Sequence, residues 1–298
     1  MSKAPIGVFD SGVGGLTVLK ALAAELPREH FVYLGDTARL PYGTKSPETV
    51  ARYAVQAAEA LSEYGVKCLV IACNTASSVG LPAIRAHIRG VPIVGVIEPG
   101  AEAACAASRS GHIAVIATEG TVRGGAYQEA ILRLRARAQV VAQPAQLFVA
   151  LAEEGLYEGP IAESVARHYL EPVFHQRRLG AAAFDRASSA IRSGSAAAPV
   201  TPGNPDFSPD TLVLGCTHFP MLAGAIRAAV GPAITIVDSA ATTARAVRET
   251  LDRERLTRLE GEGTARFLAT DSAERFARIG SRFLERPIDP EEVELVDL

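Results

Sequence analysis

The sequence predicts an α/β protein of two pseudo-symmetric lobes, each a mostly parallel sheet flanked by helices. Two observations carry this. Short apolar runs alternate with longer, Ala-rich segments of helical period along the 298 residues, the pattern of strand–helix–strand units. One stretch also recurs. LVIACNT (Leu69 to Thr75) is similar to LVLGCTH (Leu212 to His218), and each is followed by a strand ending in an acid, Glu98 and Asp238. A single repetition at long separation describes two related lobes rather than a solenoid.

The expected strands, in order, are Ile6–Phe9, Phe31–Leu34, Cys68–Ala72, Ile93–Ile97, Ile113–Ala117, Gln139–Ala142, Leu212–Gly215 and Ile234–Val237, with weaker ones near Arg266–Ala269 and Val293–Val296. The expected helices are Leu16–Glu25, Pro47–Tyr64, Ser77–Arg89, Thr121–Arg137, Ile161–Arg178, Met221–Val230 and Ala240–Arg253. From about Gln176 to Pro209 Ala, Ser, Gly and Pro dominate and the apolar period vanishes. This stretch reads as a long mobile loop or insertion, with a functional lid as the alternative.

Composition narrows the class. The chain is 48% hydrophobic and 21% charged, an ordinary globular balance, and its net charge of −3 favours neither nucleic acid nor an anionic membrane. Only Lys3, Lys20, Lys45 and Lys67 are lysines among 30 basic residues. Arginine-rich RNA binding is one reading of that bias, and ordinary surface arginines are the reading that fits the net charge. The opening MSKAPIGVFD lacks the apolar core of a secretory leader. No run approaches the roughly 18 apolar residues of a membrane span. Cys68, Cys73, Cys105 and Cys216 are too few for a disulfide framework in a chain this long. The expected compartment is therefore the reducing cytoplasm.

In parallel α/β folds the ligand sits beyond the carboxyl ends of the strands, so the residues just past each strand matter most. They are DSGVGG (Asp10 to Gly15), GDTARLPYGTKS (Gly35 to Ser46), CNTASS (Cys73 to Ser78), EPG (Glu98 to Gly100), TEGT (Thr118 to Thr121), CTHFP (Cys216 to Pro220) and DSA (Asp238 to Ala240). Cys73 and Cys216 each follow an apolar strand. Asn74, Thr75 and Thr217 suit helix N-caps. A thiolate is favoured beside a helix N-terminus or a histidine, so both positions look built for reactive sulfur. The alternative is a small buried residue after a strand. Cys68 and Cys105 read as packing cysteines.

Two activated thiols allow four chemistries. A redox pair would be a C-x-x-C. Zinc would need about four ligands, and none is expected here. A Cys–His nucleophile would use Cys216 with His218 and leave Cys73 idle. Racemisation uses both: one thiolate removes a proton from carbon and the opposite thiol returns one to the other face. The glycine loop after the first strand invites a dinucleotide reading, with Asp36 ending the next strand, but the third glycine of that fingerprint is replaced by Thr17. It is better read as a tight turn that presents Asp10 and Ser11. Backbone N–H groups and the hydroxyls of Ser11, Thr44, Thr75, Thr118, Thr121 and Thr217 can hold carboxylates, and Asp10 an ammonium.

Taken together, GVFDSGVGGLTVL, YLGDTARLPYGTKS, IACNTASS, GVIEPGA, ATEGTVRGGAY, LFVALAEEG and LVLGCTHFPML run in order along nearly the whole chain. In these blocks the sequence resembles the cofactor-independent aspartate/glutamate racemases, on the glutamate branch. The resemblance implies two facing lobes with the active site between them, drawn as residues 1–98 plus 239–298 and residues 99–238. It implies Cys73 and Cys216 as the catalytic cysteines, the first acting on D-glutamate and the second on L-glutamate. Asp10, Glu153 and His218 match its auxiliary acid/base residues. Asp10, Ser11, Tyr42, Gly43, Asn74, Thr75, Thr217 and His218 match substrate contacts. It implies glutamate as the small-molecule substrate, no cofactor, no metal, no nucleic-acid or membrane partner, a homodimer as an allowed assembly, and a product destined for bacterial peptidoglycan.

The chain departs from the pattern in three places. Ala145-Gln146 stands where the family block ends in Cys-Pro, Gly124 stands where serine is common, and the 176–209 segment is longer than usual. The expected chemistry needs low thiol pKa values. His218 is expected to assist Cys216, and Asp10 with a helix N-terminus to assist Cys73. An aspartate racemase, a Cys–His hydrolase and a non-catalytic binding protein remain as alternatives.

Overall fold

Among the described residues ten strands form two sheets in which every pairing is parallel. The computed structural model describes residues 3–174 and 208–298. The strands are β1 Ile6–Asp10, β2 Phe31–Gly35, β3 Cys68–Ile71, β4 Ile93–Gly95, β5 His112–Ala117, β6 Gln139–Pro144, β7 Thr211–Gly215, β8 Thr235–Asp238, β9 Ala265–Ala269 and β10 Val293–Leu295. The first sheet has the order β10-β9-β2-β1-β3-β4 and the second β6-β5-β7-β8. The order β2-β1-β3-β4 therefore recurs as β6-β5-β7-β8. In that correspondence β3, which precedes Cys73, matches β7, which precedes Cys216.

Strands covered on both faces read as unbroken apolar runs, and β1, β2, β3 and β7 are buried at every position. Alternate side chains feed different cores. In β1, Ile6 and Val8 face the central core, which also takes Ala114 and Ile116 of β5 and Leu212 and Leu214 of β7. Phe9 faces an outer core under the helix Pro47–Glu63. Ile113, Val115 and Ala117 face the corresponding outer core of the second sheet. The helices Leu16–Glu25 and Ser239–Arg253 pack on each other within the central core and join the two sheets.

Several expected elements change at their edges. The strand expected over Ile93–Ile97 stops at Gly95, and a helix spans Ile97–Ala107. Glu98 thus lies in a first helical turn, where an acid is favoured, and not at a strand end. The helix expected over Ser77–Arg89 starts earlier and is two helices, Asn74–Val79 and Leu81–His87. Pro82 has no N–H to continue the first and suits the opening turn of the second. The helix expected over Thr121–Arg137 is split at Gly125, whose φ of +70° ends Glu119–Gly124 before Ala126–Leu134 begins. Helices at Leu147–Glu154 and Ala273–Leu284 were not expected. The expected helix Ile161–Arg178 is described as Gly159–Phe174. The segment expected as an insertion lies outside the described residues, apart from Ser208 and Pro209.

Candidate active site

The carboxyl ends of six strands converge on one cleft. The loop after β1 supplies Ser11 and Gly12, and the loop after β2 supplies Leu40 to Gly43. Cys73, Asn74 and Thr75 follow β3, and Thr118 follows β5. Gln146, Val149 and Glu153 follow β6, and Cys216, Thr217 and His218 follow β7. Both sheets thus contribute walls, and the two cysteines enter from equivalent strand ends.

Cys73 is itself the N-cap of Asn74–Val79: the Ala76 N–H donates to its Sγ at 3.4 Å. The expected caps, Asn74 and Thr75, are inside the helix instead. The thiol lies 3.5 Å from Ser11 Oγ. Burial, and then the neighbouring Asp10 charge, push the Cys73 thiol up to about 12, against the opposing Ala76 and Ser11 hydrogen bonds. The helix N-terminus lowers this thiol as expected, through the Ala76 N–H, but the expectation that Asp10 also lowers it is overturned. A carboxylate beside a buried sulfur repels its anion, and one N–H does not offset that.

Cys216 has a different environment. No α-helix begins beside it; Phe219–Leu222 is a single 3₁₀ turn, and Thr217 caps nothing. Its partner is His218, whose Nδ1 lies 3.8 Å from Sγ. His218 Nε2 lies 3.2 Å from Glu153 Oε1. Burial disfavours an imidazolium, but the hydrogen bonds to Cys216 and Glu153 outweigh it and raise His218 to about 10. Burial likewise disfavours a charged Glu153, and His218 and Arg275 outweigh it, so the carboxyl is held below its usual range.

Asp10 is buried and does not line the cleft. Its Oδ2 accepts from the Gly12 N–H at 3.0 Å, shaping the turn that presents Ser11. Burial raises its pKa, opposed by the His218 charge and by the N–H groups of Gly15, Gly12 and Ser11. Its role is behind the wall rather than in it. Thr121 is also behind the wall, in a hydroxyl triangle with Thr75 and Thr118 whose sides are 2.9 to 3.1 Å. That triangle links the β3 loop to the β5 loop. Thr44 is exposed and is not among the lining residues; its hydroxyl donates to the Pro41 carbonyl at 3.3 Å. Tyr42 lines the cleft, but its hydroxyl donates to Asp36 Oδ2 at 2.5 Å. Asn74 Oδ1 accepts from the Tyr127 hydroxyl at 2.8 Å, while its Nδ2 is buried with no partner, leaving a donor for a ligand.

Gln146, Val149, Leu40 and Pro41 were missed as lining residues. The signal for Gln146 was present. Once β6 is allowed to run to Pro144, Gln146 is a strand-end residue like the others. Val149 and Glu153 then follow on the same helical face. The Gln146 Oε1 is buried without a partner. Glu98 and Asp238, the paired acids of the repeat, are not among the lining residues. Among the described residues no cluster of three or more His, Cys, Asp or Glu side chains could hold a metal ion.

Comparison with known proteins gives the family. The sequence profile of the Asp/Glu/hydantoin racemase family matches residues 6–176. A glutamate racemase of Geobacter metallireducens is 45% identical over 94% of this chain and 92% of its own. The chain belongs to the Asp/Glu/hydantoin racemase family. It is an isomerase by that membership. Crystallised relatives share the whole architecture. The glutamate racemase of Thermus thermophilus, solved with β-chloro-D-alanine, is 41% identical with a TM-score of 0.80, covering 99% of this chain and 98% of its own. That of Francisella tularensis, solved with D-glutamate, is 31% identical with a TM-score of 0.82, covering 100% and 98%.

Proposed function

We propose that this racemase interconverts L- and D-glutamate by moving the α-proton between two thiols on opposite sides of the substrate. The observation that carries the reading is that Cys73 and Cys216, placed by equivalent strands of two sheets with one repeated strand order, line the same cleft. The two sheets correspond to two lobes, 1–98 plus 239–298 and 99–238, with the substrate between them. The Francisella relative's D-glutamate supports the choice of substrate.

The chemistry is set by the surroundings. Cys216, with the His218 imidazole beside it, is read as the sulfur that takes the α-proton, and Cys73, whose thiol burial and Asp10 push up to about 12, as the one that returns a proton. That is the L-to-D direction. The reverse begins from the state this transfer leaves, with Cys73 as the thiolate that takes the α-proton and Cys216 as the thiol that returns one. The carbanion has no cofactor as electron sink in this reading. It is stabilised by donors to the α-carboxylate, a role read for the Asn74 Nδ2, buried without a partner, and for the Thr217 hydroxyl, while Thr75 and Thr118 hold each other and Thr121. Tyr42 and Gly43 contribute ring and backbone, since the Tyr42 hydroxyl is engaged by Asp36. The product would serve peptidoglycan synthesis in the cytoplasm, and a homodimer belongs to the same reading.

Turnover of each enantiomer in deuterated water tests this. The expected result is deuterium at Cα of product and loss of net interconversion in Cys73→Ala and in Cys216→Ala. Normal interconversion by Cys73→Ala would overturn the two-thiol scheme. An acyl adduct on Cys216 would instead mark a hydrolase, and faster turnover of aspartate enantiomers an aspartate racemase.

A further inference from the structure

We propose that Arg275 is a positioning residue for the Cys216 side of the site, holding Glu153 so that Glu153 can hold His218. The inference rests on the racemase reading above. Arg275 Nη2 lies 2.9 Å from Glu153 Oε2, and Glu153 Oε1 lies 3.2 Å from His218 Nε2. His218 Nδ1 then faces Cys216 Sγ. Each carboxylate oxygen of Glu153 has one partner, so the three groups form a line from the surface to the thiol.

The line crosses between the sheets. Glu153 lies in the last turn of the helix Leu147–Glu154, which follows β6, whereas Arg275 lies on Ala273–Leu284, which follows β9. The Arg275 backbone is fixed by its neighbours. Phe276 is fully buried, with its ring centroid 5.9 Å from Tyr33 and 6.1 Å from Phe267. Two further contacts from the same helix converge on the pair. Phe283 packs its ring edge-to-face with the His218 imidazole at 5.1 Å, and Arg282 Nη1 reaches the Glu153 carbonyl oxygen at 3.4 Å. One amphipathic helix thus braces the whole acid–imidazole pair.

Charge explains why an arginine is suited here. Glu153 is partly buried, and its ionised form needs compensation. His218 supplies one cation, and Arg275 supplies a second that cannot be deprotonated and has a geometry matched to carboxylate. Without Arg275 the Glu153 side chain can rotate toward solvent. His218 then loses the acceptor that fixes its orientation, as happens when the outer partner of a functional histidine is removed. The titratable and charged groups around His218 are Cys216, Glu153 and Asp10, with Arg275 beyond the Glu153 carboxylate and Arg282 at the Glu153 carbonyl.

A double-mutant cycle decides the matter. Arg275→Met should lower kcat/KM by about 10- to 100-fold, the usual cost of losing an outer-shell partner. In a Glu153→Gln background the same substitution should cost nothing further. Arg275→Lys should restore most of the activity, and Arg278→Met, on an exposed position of the same helix, should leave it unchanged. The His218 imidazole, followed by NMR, should titrate about one unit lower in Arg275→Met than in the unaltered protein. Losses that multiply in the double variant, or an unmoved His218 titration in folded Arg275→Met, would overturn the proposal. If the unaltered protein failed to interconvert glutamate, the functional reading would fall, and the His218 titration would still judge the relay.

Discussion

Gly14 lies directly against His218: a Cβ at position 14 would come within 2.4 Å of Nδ1 and of the Thr217 hydroxyl. The glycine after β1 is therefore what allows the β7 loop to seat its histidine beside Cys216. Gly14→Ala should displace the imidazole. The expected outcome is a loss of about 100-fold in kcat/KM, since small misplacements of reacting groups carry penalties of that order. The cost in stability should be about 1–3 kcal/mol from overpacking. Steady-state kinetics with thermal unfolding of the same variant checks both.

Asp10 and Cys73 make a second prediction, with a sign opposite to the simple expectation. Asp10 raises the Cys73 thiol. Asp10→Asn should therefore speed alkylation of Cys73 at pH 8 by up to about tenfold, one pKa unit being a factor of ten in thiolate. Peptide mapping after timed exposure to iodoacetamide gives the rate at Cys73 alone. Slower labelling would mean that Asp10 assists the thiol after all.

His218 links stability to pH. Its folded pKa of about 10 stands above the ordinary 6.5, so the folded state holds the proton more tightly than the unfolded chain. The resulting stabilisation is fully present below about pH 6.5 and is lost as pH rises through about 10. Denaturant unfolding should show the difference between the unaltered protein and His218→Gln shrinking across that window. A difference that grew with pH would contradict the assignment.

The Thr75–Thr118–Thr121 triangle yields a fourth test. Thr118 also caps Glu119–Gly124, accepting from the Thr121 N–H at 3.4 Å. Thr118→Val removes the cap and two sides of the triangle, leaving the Thr75–Thr121 hydrogen bond as the remaining hydroxyl link between the β3 and β5 loops. A loss of about 1–2 kcal/mol is expected, with a raised KM for glutamate. Thr44→Val, at an exposed position outside the cleft, should leave KM unchanged.

Much of the fold was legible because parallel strands buried on both faces leave continuous apolar runs, as in β1, β3 and β7. Each run, read to its end, placed Ser11, Cys73 and Cys216 just past the carboxyl ends of their strands, where the cleft lies. The less legible elements have identifiable causes. Pro82 and Gly125 interrupt stretches whose apolar period continues through them. Ala273–Leu284 carries Glu274, Arg275, Arg278 and Arg282, so its low mean hydropathy hid a helix with Phe276, Ile279 and Phe283 buried beneath. Gln146 was passed over because β6 was expected to end two residues early.

The sequence by itself determined the parallel α/β class and the repeated strand–cysteine unit that puts Cys73 and Cys216 at matching strand ends, because these depend on local period and on the residue types at each strand's carboxyl end. Only the tertiary structure decided how those thiols differ. Cys73 is paired with a buried carboxylate and Cys216 with an imidazole braced from another sheet by Arg275. Charge at a buried sulfur is set by neighbours within a few ångströms in space, and those neighbours come from the end of β1 and from the segments after β6 and β9, far apart along the chain.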